Sequence, residues 1–187
     1  ENFPVGSFLI PARVRPHVCA IYAFARTADD FADEPGMDTD ERLARLEDWR
    51  GRLHRCLEEP EGPIFAALAE TIRHHHVPID LLDDLLTAFR QDVTVQRHQT
   101  FEDLLTYCRY SAVPVGRLVL HLFGYRDPER LAYSNALCSA LQLANFWQDV
   151  AVDFARGRIY LPQEDMRAYG VRSEERRVGK ECRSRWS

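Results

Sequence analysis

Lysine is nearly missing from this chain: Lys180 is the only one among 24 basic residues, and arginine supplies the rest. Acids outnumber bases, the formal net charge is -5, and no basic stripe with interleaved aromatics occurs, which argues against a nucleic-acid partner. No apolar run approaches the roughly 18 residues of a membrane span, and no signal peptide precedes Phe3. The five cysteines, Cys19, Cys56, Cys108, Cys138 and Cys182, include no Cys-x-x-Cys pair and no neighbouring histidine spacing of a zinc module. They read as reduced, mostly buried thiols of a cytoplasmic protein. No glycine-rich dinucleotide fingerprint is present, and no segment alternates with the period of a strand. What remains is an all-α pattern in a chain of 187 residues, 45% of them hydrophobic, enough for one domain with a core.

The organising stretch is Leu141–Pro162, LQLANFWQDVAVDFARGRIYLP. Its apolar residues (Leu143, Ala144, Phe146, Trp147, Val150, Val152, Phe154) circle the helical wheel, as in a buried helix. Asn145, Asp149 and Asp153 recur every four residues and so share one stripe. Two like charges on a buried face repel and lose hydration, so a cation or raised pKa values must compensate. An amide with two carboxylates is an oxygen-only donor set that suits Mg²⁺. A second acidic stripe lies upstream in YAFARTADDFADE, where Asp29 and Asp33 are four apart with Asp30 between. Two such stripes facing each other across an apolar cavity would clamp a diphosphate through metal ions.

Punctuation along the chain predicts the remaining helices. The lead-in Glu1–Pro11 is irregular and lacks an initiator methionine, which suggests absent N-terminal residues. A first helix runs from near Pro16 to Glu34, with Val18, Ile21, Phe24 and Ala25 as core candidates, and Pro35-Gly36 ends it. Asp38 caps an amphipathic outer helix reaching Glu58; a short helix spans Ile64–His75; another spans Ile79–Val95. The run His74–His76 reads as solvated histidines at a helix end, pointing to different faces. Asp92 follows an apolar face and either reaches the cavity or lies on the surface. Thr100 and Asp103 begin a helix that Pro114 should kink, with Gly116 permitting close approach. Tyr107 and Tyr110 sit just before the kink, where phenols can point inward. Asp127-Pro128 begins a helix of about 28 residues ending at Gly157. From residue 172 the sequence changes character, so 1–171 is taken as the helical domain and 172–187 as an unrelated tail of artefactual origin.

These motifs resemble the squalene/phytoene synthase family of head-to-head prenyl synthases. The first motif is Tyr22-Ala-Phe-Ala-Arg26 with Asp29, Asp30 and Asp33. The second is Gln142, Asn145, Asp149 and Asp153 with Gly157-Arg158-Ile-Tyr160-Leu-Pro162 behind it. The segment Tyr107-Cys-Arg-Tyr110-Ser-Ala-Val-Pro114-Val-Gly116 resembles the family's tyrosine-bearing helix, and Asp92 falls where the family keeps an acid. The resemblance implies an isoprenoid-synthase-type helical bundle around a central cavity, C-terminally truncated here.

It also implies roles. Asp29, Asp33, Asn145, Asp149 and Asp153 would hold Mg²⁺, with Asp29, Asp33, Asp149, Asp153 and Tyr107 as the catalytic set. Tyr22, Arg26, Tyr110, Gln142, Asn145, Arg158 and Tyr160 would contact a prenyl diphosphate. The forms YAFARTADD and YSAVPVG are most similar to the bacterial branch that converts presqualene diphosphate to hydroxysqualene in the hopanoid pathway. The alternatives are phytoene or dehydrosqualene synthesis and, from another class, a non-catalytic helical binding subunit. A departure is Gln148, where several family members have arginine. The family continues through roughly another hundred residues, whose absence would expose Phe146, Trp147 and Val150. Peripheral membrane contact stays open for a greasy substrate, as does contact with other enzymes of the same pathway.

Overall fold

The computed structural model describes residues 10–34 and 36–171. The tail from residue 172, the lead-in up to Leu9, and Pro35 lie outside the described residues. Nine α-helices follow in chain order among those described: α1 Arg15–Asp33, α2 Thr39–Arg55, α3 Gly62–His75, α4 Ile79–Thr94, α5 Phe101–Ser111, α6 Val113–Leu122, α7 Pro128–Gln148, α8 Val150–Ala155 and α9 Gln163–Ala168. The all-α class is as the sequence implies. The only sheet-like pairing among the described residues is an isolated parallel bridge between Arg97 and Ile159.

Local chemistry sets the helix ends. The Asp38 carboxylate accepts from the Glu41 amide at 2.8 Å, and acids in the first turn of α2 with bases in its last turn complement the helix dipole. Thr100 and Asp103 form a full capping box at the start of α5. Asp127 accepts from Arg130 N at 2.9 Å, with Pro128 in the first turn of α7.

The main core gathers α1 to α4 around three rings. Trp49 lies 4.5 Å from Phe65 and 5.9 Å from Phe24 between centroids, and its indole N–H donates to the Phe24 carbonyl at 3.3 Å. The outer helix α2 therefore reaches the centre through Leu46, Trp49 and Leu53, all buried. A smaller second cluster joins Ala88, Leu104, Tyr107, Cys108, Leu143 and Phe146. Cys56 and Cys108 are buried as expected, whereas Cys138 is half-buried and Cys19 exposed.

Three sequence expectations change. The predicted kink at Pro114 is a break: the backbone leaves one helix at Ala112, and proline sits in the first turn of α6, where its missing N–H costs nothing. The adjoining Gly116 does permit close approach, since a Cβ there would collide with Ser134 Oγ and come within 2.6 Å of Cys138 Sγ on α7. The 28-residue helix is likewise two helices, because Asp149 takes φ -96°, ψ 9°, between α7 and α8.

Third, Leu141–Pro162 is not a buried helix. Only Leu143 and Phe146 of α7 are buried, and no residue of α8 is. One side of α7 packs on α5 and α6, and Tyr133, Leu137, Leu141 and Trp147 are exposed. Of the residues expected to be exposed, Trp147 is (53%), Val150 is half-buried and Phe146 is buried. Phe146 escapes because it faces α5.

Candidate active site

Both acidic motifs come together through a loop the sequence does not advertise. After α8, Gly157 turns the chain with φ +81°, a left-handed conformation that glycine adopts without strain. The returning strand-like segment then pairs with the loop following α4. Ile159 N donates to Gln96 O at 3.1 Å, and Gln163 N to His98 O at 3.0 Å. This clamp delivers Arg158 to the end of α1, where its guanidinium donates to Asp33 Oδ1 at 2.6 Å across 125 residues of chain.

Arg158 is the electrostatic hub. Burial alone would lower its pKa, but the Asp33 hydrogen bond and charge, with Tyr160 and Asp92, outweigh this and raise it. Its charge also reaches Asp29 and Asp153, one from each motif. Asp29 is held above its ordinary value by burial and then by Asp33; Asp153 by burial and then by Asp149. Arg26 pairs with Asp29 at 3.1 Å and Asp30 at 2.8 Å.

Asn145, Asp149 and Asp153 keep a helix-like ladder across the break, with Asp149 N on Asn145 O and Asp153 N on Asp149 O, each 2.9 Å. The expected stripe is present, but Asn145 and Asp149 are exposed and Asp153 half-buried, so the stripe is not on a buried face. Among the described residues, no three carboxylates close to within 4.8 Å of one another.

Behind the acids is a wall of aromatic rings. Tyr107 donates to Asp92 Oδ1 at 2.7 Å. Phe146 and Tyr160 stack at 3.9 Å between centroids and 7° between planes, and Tyr107 lies 5.9 Å from each. Burial, then the Asp92 charge, pushes the Tyr160 phenol up to about 12 and raises that of Tyr107 as well, so both keep their protons at neutral pH. Asp92 is pushed up to about 6, chiefly by burial, although the Tyr107 hydrogen bond and Arg158 oppose the rise. Of the two sequence readings of Asp92, the open surface acid does not hold, since its carboxylate is half-buried and accepts from Tyr107. Tyr110 packs half-buried beside Tyr107, and Gln142 is half-buried on α7.

Sequence reasoning missed His98. It is buried (6% exposed) and its ring lies 5.5 Å from Tyr107 and 6.0 Å from Tyr160. A histidine in a polar loop after a helix carries no periodic signal, so its burial emerges only from the pairing with residues 159–163.

An apolar cavity of about 230 Å³ lies along α1, lined by Val18, Ile21, Tyr22 and Ala25 with Leu85 of α4 and Val115, Leu118, Val119 and Leu122 of α6. Phe24 is core as expected, and Val18, Ile21 and Ala25 pack half-buried against that core while also lining this cavity. The predicted contact residue Tyr22 stands on the same wall, one turn before Arg26.

The model of the squalene/phytoene synthase family matches residues 1–185. The chain belongs to this family. It is 43% identical over 175 residues to hydroxysqualene synthase of Zymomonas mobilis, covering 91% of this chain and 58% of that protein. Phytoene synthase of Mycobacterium tuberculosis is 33% identical, with 92% of this chain and 56% of that protein covered. The crystal structure of squalene synthase HpnC from Alicyclobacillus acidocaldarius superposes with a TM-score of 0.83 at 44% identity, over 90% of this chain and 64% of that one. A dehydrosqualene synthase structure gives 0.78 at 34%, over 88% and 57%. The architecture is the helical isoprenoid-synthase type. The chain spans somewhat under three-fifths of the curated relatives it matches.

Proposed function

We propose that this chain carries the diphosphate-binding machinery of an Mg²⁺-dependent enzyme that converts presqualene diphosphate to hydroxysqualene. The observation that carries this reading is the Arg158–Asp33 contact, which brings the segment behind the second motif onto the first and supports taking the two stripes as two sides of one cleft. Identity favours this product over phytoene: three hydroxysqualene synthases match at 38–43%, the mycobacterial phytoene synthases at 33%.

The donor set fits the metal. Asp29, Asp33, Asn145, Asp149 and Asp153 offer only oxygen, the ligand type Mg²⁺ prefers. Burial and like charges raise Asp29 and Asp153, a penalty that a divalent cation relieves. Bound Mg²⁺ supplies neutralisation of the charge that builds on the leaving diphosphate.

Arg158 and Arg26 donate to phosphate oxygens, Arg26 by exchanging its carboxylate partners on α1. The prenyl chains lie along the α1 cavity past Tyr22, and Gln142 and Tyr110 border the reacting end. The cationic carbon skeleton left behind meets the ring faces of Tyr107, Tyr160 and Phe146, whose quadrupoles favour positive charge. Water adds to the cation and loses a proton, so substrate plus water gives the alcohol plus diphosphate, with no reductant. Such an enzyme works in the cytoplasm, drawing its substrate from a membrane surface or from other enzymes of the same pathway.

The test is the reaction of the gene product containing this chain with presqualene diphosphate and Mg²⁺ in ¹⁸O-labelled water. Labelled hydroxysqualene without any nicotinamide is expected, and Asp149→Asn should abolish turnover while leaving the circular dichroism spectrum unchanged. Unlabelled product, or product only from farnesyl or geranylgeranyl diphosphate, would assign the chain to phytoene or dehydrosqualene synthesis.

A further inference from the structure

The histidine run on α3 does not behave as a solvated helix end. His74 is exposed, but His75 is half-buried, and both meet His17 from the first turn of α1. The His17 ring lies 5.2 Å from His74 and 4.3 Å from His75, and those two are 4.6 Å apart. One ring nitrogen from each falls within 4.8 Å of the others, the only such grouping of histidine, cysteine and acid side chains among the described residues. Consecutive residues can converge here because the helix ends: His76 takes the left-handed conformation (φ 51°), and Arg126 donates to the His75 carbonyl.

Two features point to a ligand. The Nε2 atom of His75 is buried without a hydrogen-bond partner. The second concerns His17, whose Nδ1 lies 3.0 Å from Thr71 Oγ1. The Thr71 hydroxyl spends its single proton on Ala67 O at 2.8 Å, so toward His17 it can only accept. Nδ1 of His17 therefore carries the proton and Nε2 presents a bare lone pair. A hydrogen bond on the non-ligating nitrogen is how proteins orient metal-binding imidazoles.

We propose that His17, His74 and His75 form a transition-metal site that takes Zn²⁺ through three imidazoles and leaves its fourth position to water. Imidazole selects zinc-like ions, whereas Mg²⁺ prefers the all-oxygen cleft. The two sites are separate, since His17 and Asp29 lie about 18 Å apart along α1. Tetrahedral zinc at roughly 2.0–2.1 Å from each nitrogen wants them about 3.3 Å apart. The present spacing, within 4.8 Å, is wider than this, and His74 is the exposed member of the three.

Cobalt(II), as a spectroscopic substitute for zinc, tests this on the whole chain. One equivalent should give the intense visible bands of a tetrahedral nitrogen-ligated ion. Zn²⁺ should displace them, and excess Mg²⁺ should not. His17→Gln and His75→Gln should abolish the bands, His76→Gln and Asp149→Asn should retain them, and Thr71→Val should weaken binding about 10- to 100-fold. In the unaltered chain, Zn²⁺ should shift the NMR ring signals of these three histidines and leave those of His54 and His76 in place. Absence of the bands, their survival in His17→Gln, or the near-ultraviolet charge-transfer absorption of a cysteine thiolate ligand would overturn the proposal.

Discussion

Arg158 and Asp33 meet at 2.6 Å, and Asp92 lies within the field of both. The pair holds the segment after α8 against the end of α1, so its strength can be read as a coupling energy. Asp33 is 44% exposed and Arg158 20%, and solvent screening keeps such a pair modest. A double-mutant cycle with Arg158→Leu and Asp33→Asn in urea unfolding should return a coupling of about 1 kcal/mol. Additive effects would mean that the contact does not hold the two motifs together.

Asp92 makes folding pH-dependent in an unusual direction. Its folded value, about 6, lies above its ordinary value of 3.8, so between these pH values the folded chain binds more protons than the unfolded one. Stability from this group is therefore fully present below pH 4, falls as pH rises toward 6, and is lost above that, by up to about 3 kcal/mol. Asp92→Asn can still accept the Tyr107 hydrogen bond but cannot ionise. Relative to the unaltered chain it should gain stability as pH rises from 4 to 7, measured by chemical unfolding at each pH. A difference independent of pH would show that Asp92 does not titrate in this window.

Along α7 and α8, Leu137, Leu141, Trp147, Val152 and Phe154 are between 46% and 60% exposed. Apolar surface on this scale drives association. The 187-residue chain should self-associate with rising concentration in light scattering coupled to size exclusion. Leu141→Glu with Trp147→Glu should reduce this while changing stability by less than about 0.5 kcal/mol per site, as surface substitutions do. A monodisperse monomer at high concentration would contradict the expectation.

Helix positions were legible in the sequence because capping is local chemistry. Asp38, Thr100 and Asp127 mark starts that depend only on the next three residues, and proline in a first turn acts through its own ring. The two acidic stripes were legible for the same reason, since four-residue spacing places side chains on one face whatever the surroundings. The family could be read from those motifs together with YSAVPVG, and the comparisons with known proteins bear that reading out.

Burial was not legible, because it depends on what packs against a face. The wheel of Leu141–Phe154 is apolar all round, yet most of it is exposed, since among the described residues α7 packs chiefly on α5 and α6. Tertiary structure alone decided that Val18 and Ile21 line a cavity, that Asp92 lies among buried rings, and that His98 joins them. It also decided the meeting of His17 with His74 and His75. The first residue lies 57 and 58 positions from the other two, and no periodicity spans such a gap. Residues within a turn interact through the backbone geometry they share; residues on different helices meet only when the core between α1 and α3 has formed and fixed their relative rotation.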